Sequence, residues 1–204
     1  MKTEASDCKY ENKWDKLLQI RTTGRDDSRA DQYRYPYEPT PYAVLEYLAN
    51  ADYIRKTNTL LDYGCGKGRV EFFMSYQTRC HAIGVEYDER IYQRAVENKE
   101  CAVSGSRVMF ELEDATCYEV PTEVDRIYLF HPFSVEILQK VMGQILLSYY
   151  EVPREILLFF YYPSDEYMAY LMTVPELSFL DEIDCGDLYK EKDERERIVI
   201  FALA

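Results

Sequence analysis

The densest chemistry in the sequence is the run Asp62-Tyr63-Gly64-Cys65-Gly66-Lys67-Gly68-Arg69. Three glycines at alternate positions permit positive φ and let the backbone pass close to a ligand, and a helix starting just after them would offer free N–H groups. Glu86, in Gly84-Val85-Glu86-Tyr87-Asp88, follows Asp62 by 24 residues. A carboxylate there suits the two hydroxyls of a ribose. It could equally cap a helix, but Asp88 fills that place better. A third acid, Asp114 in Glu113-Asp114-Ala115, is either a receiver for the exocyclic amine of adenine or an ordinary loop aspartate. The spacing also excludes. A dinucleotide fingerprint needs glycine where Arg69 stands, and no G-x-x-x-x-G-K-[ST] run exists for a nucleoside triphosphate.

The elements around these residues alternate. Residues 59–63 read as a strand and 69–76 as a helix; 82–86 is the next strand, and Asp88 caps a helix with Ile91, Tyr92, Ala95 and Val96 on one face. Strands follow at 107–112 and 125–130. Ser134 opens a helix whose Ile137, Leu138, Val141, Met142, Ile145 and Leu146 recur at helical spacing. Residues 155–162 form a near-continuous apolar run, the pattern of a strand buried in mid-sheet. A helix at 164–172 precedes two final strands, 177–183 and 197–203, with no helical period between them. Strand and helix thus alternate five times before a terminal strand pair, which predicts an α/β, doubly wound sheet with the three acids at successive strand ends. Upstream, a short helix is expected around 14–20, and another starts at Pro39-Thr40-Pro41, where Thr caps and Pro suits the first turn. The segment 181–196 holds eight acids and three bases and reads as a solvated hairpin loop.

Composition narrows the partners. The chain has 204 residues and a formal charge of −13, which disfavours phosphate backbones and anionic membranes and points to a small-molecule or protein substrate. Six scattered cysteines form no metal-binding spacing, so no metal is expected. The N-terminal residues lack an apolar signal region and no apolar run approaches the length of a membrane span, which predicts a cytoplasmic protein with reduced thiols. Twenty tyrosines are an unusual load. Oligomeric state is not legible.

On the Asp62–Gly68 spacing and the strand-two acid, residues 38–204 resemble the class I S-adenosylmethionine-dependent methyltransferase family, and the run Leu61 to Val70 is similar to bacterial members of unassigned substrate. The resemblance implies a Rossmann-like, doubly wound seven-stranded sheet in the order 3-2-1-4-5-7-6, its last strand antiparallel. The methyltransferase domain would span 39–204, behind a leader of 1–38 able to close over the site. S-adenosyl-L-methionine is the implied cofactor. Carried over by position, Asp62 with the backbone of Tyr63 and Gly64 would hold the methionine amino group. Gly66 and Gly68 would let the loop pass under the nucleoside. Glu86 would bind the ribose, Tyr87 would lie against adenine, and Asp114 and Ala115 would meet the adenine edge.

The fourth-strand run Phe130-His131-Pro132-Phe133 departs from the Asn- or Asp-Pro-Pro-aromatic pattern of amine-modifying members. His131 would lie beside the transferred methyl, where an imidazole with an ordinary pKa near 6.5 suits a general base; alternatively it only packs between Pro132 and Phe133. Those two residues, with Tyr35 and Tyr37 of the leader, would form the acceptor side, since aromatic faces suit a sulfonium cation. The implied activity is in-line methyl transfer to a small molecule or a protein side chain. Two alternatives remain: a catalytically silent S-adenosylmethionine-binding module, and a nicotinamide oxidoreductase.

Overall fold

A computed structural model describes residues 8–28 and 32–203; residues 1–7 and 29–31 of the expected leader, and residue 204, lie outside the described residues. Seven strands form one sheet: β1 (Thr59–Tyr63), β2 (His81–Glu86), β3 (Val108–Leu112), β4 (Arg126–Leu129), β5 (Ile156–Tyr161), β6 (Leu177–Asp184) and β7 (Arg197–Leu203). Their order is β3-β2-β1-β4-β5-β7-β6, with β7 antiparallel to both of its neighbours. The expected sheet is the observed one. The apolar runs sit where both faces are covered, so every residue of β5 is buried, while the edge strand β6 is largely exposed.

Helices α1 (Cys8–Leu18), α2 (Tyr42–Asn50), α3 (Arg69–Thr78) and α4 (Glu89–Cys101) cover one face. Leu18, Tyr42, Leu45, Phe72, Phe73 and Ala95 bury there against Leu60, Ala82, Tyr128 and Phe159. Helices α5 (Val135–Glu151) and α6 (Asp165–Leu171) cover the other, through Leu138, Met142, Ile145, Tyr167 and Leu171. Each fully buried aromatic or leucine contributes about 1.5–3 kcal/mol of transfer free energy, which makes the two layers mutually dependent. Parallel register places Asp62 beside Gly84 on one side and Tyr128 on the other. The carboxyl ends of β1, β2, β3 and β4 therefore open along one edge.

Three expectations need correction. The count of five strand–helix alternations is one too many: residues 113–125, between β3 and β4, are assigned no helix by pattern and carry none among the described residues. Asp114 turns the chain there, its Oδ1 accepting from the Thr116 N–H at 2.9 Å, which competes with a helical start. Thr40 does not cap α2; its buried hydroxyl pairs with the Tyr128 hydroxyl at 3.0 Å. The acidic segment 181–196 is not a freely solvated loop. β6 runs on to Asp184, Cys185 is fully buried, and tyrosine hydroxyls donate to its acids: Tyr53 to Asp181, Tyr47 to Asp187, Tyr162 to Asp193 and Tyr161 to Glu196, at 2.5–2.9 Å. Charge counting missed these hydroxyl donors, which come from elements far away in sequence.

Candidate functional site

β1 ends at Tyr63, and the chain turns through Gly64, Gly66 and Gly68 at φ of 76°, 58° and 87°. Side chains are strained in that region, and space is refused as well. A Cβ on Gly64 would sit 2.7 Å from Pro132 Cβ, and one on Gly66 would enter the Tyr37 ring. Gly68 is the residue before α3 and faces Phe110 and Phe72, so its immediate neighbours are core rings. The loop is held from β2. The Gly64 and Cys65 N–H groups donate to the Val85 carbonyl at 2.9 and 3.1 Å. Glu86 then braces it, with Oε2 accepting from Gly66 N–H at 3.1 Å and Oε1 from Asp88 N–H at 2.9 Å. Asp88 caps α4 by accepting from the Arg90 N–H. A carboxylate has about four acceptor sites, so Glu86 keeps acceptor capacity beyond these backbone donors.

Three carboxyls converge beneath this loop: Asp62, Glu71 and Glu86 are all buried. Burial, with Glu71 and Glu86 alongside, pushes the Asp62 carboxyl well above the usual carboxylate range. Burial likewise pushes Glu71 up to about 8. Burial also raises Glu86, against the backbone N–H groups of Asp88, Gly66 and Tyr87 that favour its charged form. The site is therefore short of positive charge.

Asp62, Gly64, Glu86, Tyr87, Asp114, Ala115, Pro132, Phe133, Tyr35 and Tyr37 line a single cleft along the open sheet edge. Tyr63, Gly66, Gly68 and His131 are not among its lining residues. The Tyr63 ring instead meets Tyr118 edge-on in the core of the opposite face. The leader runs across the mouth. Arg34 donates to Asp114 Oδ2 at 2.6 Å and its guanidinium lies 4.8 Å from the centre of the Tyr87 ring. Tyr35 N–H donates to the Pro132 carbonyl at 3.1 Å. Tyr37 pairs with Asp26 through the backbone and donates its hydroxyl to the Thr22 carbonyl at 2.6 Å, leaving its ring on Gly66 with the Lys67 ammonium 4.6 Å away.

His131 has φ of 40°, a left-handed conformation forced where β4 turns over the edge. Its ring stacks on Tyr35 at 4.7 Å and meets Tyr167 edge-on at 4.8 Å. The Tyr167 hydroxyl in turn donates to the Phe133 carbonyl. Burial, then the Arg195 charge, lower the His131 pKa, so the ring is neutral near pH 7. A neutral imidazole can accept a proton, and here it stacks on Tyr35, which lines the cleft while His131 itself does not.

Sequence reasoning passed over Arg34, Glu71 and the role of Arg69. Arg69 is 2% exposed, lines the cleft and is gripped by Glu11, Thr22 and the Thr40 carbonyl. Its only sequence signal was to break the dinucleotide spacing. Glu71 gave none, being one acid on a helix.

No known protein-family model matches the chain, and no curated protein matches it in sequence. Solved structures do. An RNA methyltransferase from Salinibacter ruber in complex with S-adenosyl-L-homocysteine superposes at TM-score 0.57 with 18% identity, covering 81% of this chain and 94% of that one. A TehB-like SAM-dependent methyltransferase from Corynebacterium glutamicum covers 95% of this chain and 96% of its own at TM-score 0.56 and 16% identity. The mitomycin 7-O-methyltransferase MmcR reaches TM-score 0.60 at 14% identity, over 79% of this chain and 53% of that one. The chain has the class I methyltransferase fold. In that fold the glycine turn, Glu86 and the leader strap all lie on the edge where the sheet order reverses, between β1 and β4. Among the described residues, no helix is long and apolar enough to cross a membrane, and no three His, Cys, Asp or Glu residues are arranged to hold a metal ion.

Proposed function

We propose that this chain is an S-adenosyl-L-methionine-dependent methyltransferase acting on a small-molecule or protein side-chain acceptor. The observation that carries the reading is the glycine turn Gly64–Cys65–Gly66 held by the Glu86 carboxylate, opening into a cleft that Asp62, Tyr87, Asp114 and Ala115 also line. The residues fit the cofactor chemically. Three buried carboxyls short of a cation suit an ammonium, the free acceptor sites of Glu86 suit ribose hydroxyls, and Tyr87 offers a ring face to a base. When bound, the cofactor supplies a methyl group already activated on a sulfonium.

The protein's part is positioning and electrostatics. Asp62 would orient the amino end and Glu86 the sugar, while Asp114 and Ala115 bound the far wall. Tyr35, Pro132 and Phe133 would exclude water from the acceptor side, and Tyr37 would hold the glycine turn closed. Neutral His131 would take the acceptor's proton where one must leave. The high negative charge supports a small-molecule or protein acceptor over nucleic acid, although an RNA methyltransferase shares the fold.

Calorimetry against S-adenosylmethionine and S-adenosylhomocysteine, with NAD and ATP as controls, tests the reading. Binding of the two sulfur nucleosides alone is expected. No heat from either, or tighter NAD binding, overturns it, and binding without turnover on any acceptor would favour a silent module.

A further inference from the structure

The amino ends of the strands form the edge opposite the glycine turn, and four bases collect there, outside the cofactor cleft. Lys56 lies in the turn before β1, Arg79 caps the carboxyl end of α3, His81 opens β2 and Arg107 immediately precedes β3. The sheet order β3-β2-β1 makes these ends neighbours, and parallel register sets Thr59 beside His81 and Ala82 beside Val108. The His81 N–H also donates to the Asn58 carbonyl at 3.1 Å, which holds the Lys56 turn against β2. All four bases line one open cleft with Tyr76 and Val103, and none of its described lining residues is an acid.

Cations on this chain normally meet an acid, since acids outnumber bases 37 to 24. Even the exposed Arg25, Arg55, Arg94 and Arg195 lie 2.5–3.7 Å from a carboxylate. Among the described residues, Lys56, Arg79, His81 and Arg107 form no ion pair, and Asp52, the acid nearest Lys56 in sequence, is already held by Arg55. The α3 carboxyl end explains one of these bases. Arg107 Nη2 donates to the Ser75 carbonyl at 2.8 Å, and a helix terminus carries only about half a negative charge. Arg79 adds a second anomaly: its φ of 63° is backbone that favours glycine, yet a guanidinium stands there.

Neighbouring strands lie about 4.8 Å apart, so bases at three successive strand ends form a row about 10 Å long. That is too long for a single phosphate. An extended peptide presents alternate side chains about 6.6 Å apart on one face, so two of its carboxylates can meet the row together. Exposed Tyr76 and Val103 add an apolar flank. An overall charge of −13 repels a long polyanion, whereas a short acidic segment meets mainly the local field. We propose that this cleft docks an extended, Asp- or Glu-rich segment of a protein partner, gripped by Lys56, Arg79 and Arg107 with His81 between them. The partner is held at the edge away from Glu86 and the glycine turn, so docking leaves the cofactor cleft open. Nothing in this surface depends on which cofactor that cleft takes.

Fluorescence anisotropy of a short labelled peptide alternating Glu and Val tests this, with the same peptide carrying Lys in place of Glu as control. Wild-type protein should bind the Glu peptide and not the Lys one, with affinity falling as salt is raised. An exposed ion pair is worth roughly 1.5- to 5-fold in affinity. Lys56→Gln and Arg79→Gly should each weaken the peptide by about that factor, and the double variant by roughly 2- to 25-fold. Glycine suits the left-handed backbone at position 79, so Arg79→Gly should fold at least as stably as wild type. Affinity for S-adenosylhomocysteine should be the same in all of these proteins, because neither residue touches that cleft. No binding by wild-type protein at peptide concentrations up to about 1 mM would overturn the proposal, as would equal binding of the Lys peptide. Affinity unmoved in the folded double variant would do the same. Capture of single-stranded RNA or phosphatidylserine vesicles in place of the peptide would also overturn it, by giving the cleft a phosphate partner.

Discussion

Replacing Glu71 by Gln should make the protein more stable in alkali, and the burial of the Glu71 carboxyl sets the sign. Glu71 and Asp62 are buried carboxyls beneath one loop, with Glu71 held up at about 8 against an ordinary 4.5. The unfolded chain releases both protons near pH 4–4.5, whereas in the folded protein Glu71 keeps its proton until about pH 8 and burial holds Asp62 well above its usual range too. The pair's contribution to stability is therefore complete below the unfolded pKa and is lost as pH rises through 8. At about 1.4 kcal/mol per tenfold change in proton affinity, the loss amounts to roughly 3–5 kcal/mol. Glutamine keeps the shape and removes the titration. Urea unfolding of both proteins at intervals between pH 5 and pH 9 isolates the Glu71 titration, since every other group, Asp62 included, is common to the two. The wild-type protein should lose ground to the variant from about pH 5 to about pH 8 and hold a constant difference beyond that. The same proton bears on function: an ammonium at Asp62 favours the ionised pair, so S-adenosylhomocysteine affinity should rise by up to about tenfold per pH unit between 6 and 8 in wild type and stay flatter in Glu71→Gln. A constant stability difference between the two proteins across the whole range would refute a buried, protonated Glu71.

Glu86→Ala should weaken cofactor binding by about 1.5–3 kcal/mol, or roughly ten- to hundredfold, in calorimetry. It should also lower thermal stability, because Gly66 and Asp88 N–H groups lose their acceptor; unchanged affinity in the folded variant would place the ribose elsewhere. His131→Asn should leave cofactor binding intact while lowering turnover by about 10²–10⁴-fold and removing an ionisation from the pH–rate profile. That ionisation should lie below 6.5, since burial and Arg195 favour the neutral ring. A variant that shifts only the acceptor KM and keeps the pH profile would leave His131 a pocket wall.

Local pattern determined much of this protein. Strands of four to six residues ended at Tyr63, Glu86 and Leu129 because β-strands bury both faces in mid-sheet, and that need is written residue by residue. The glycines were legible for the same reason: positive φ is a property of one residue, and Gly64, Gly66 and Gly68 all adopt it. Asp88 as a cap needed only its neighbours. What tertiary structure alone decided were the partners of polar groups across long separations. Arg34 meets Asp114 across 80 positions, Arg69 meets Glu11 across 58, and four tyrosines pin an acidic segment that charge counting left in solvent. Asp62 and Glu71 are close in sequence, yet only the burial of both beside Glu86 raises the two carboxyls above the usual carboxylate range. Hydrogen-bond pairing and desolvation depend on what the rest of the chain brings alongside, and neither leaves a periodic signature in the residues that undergo it.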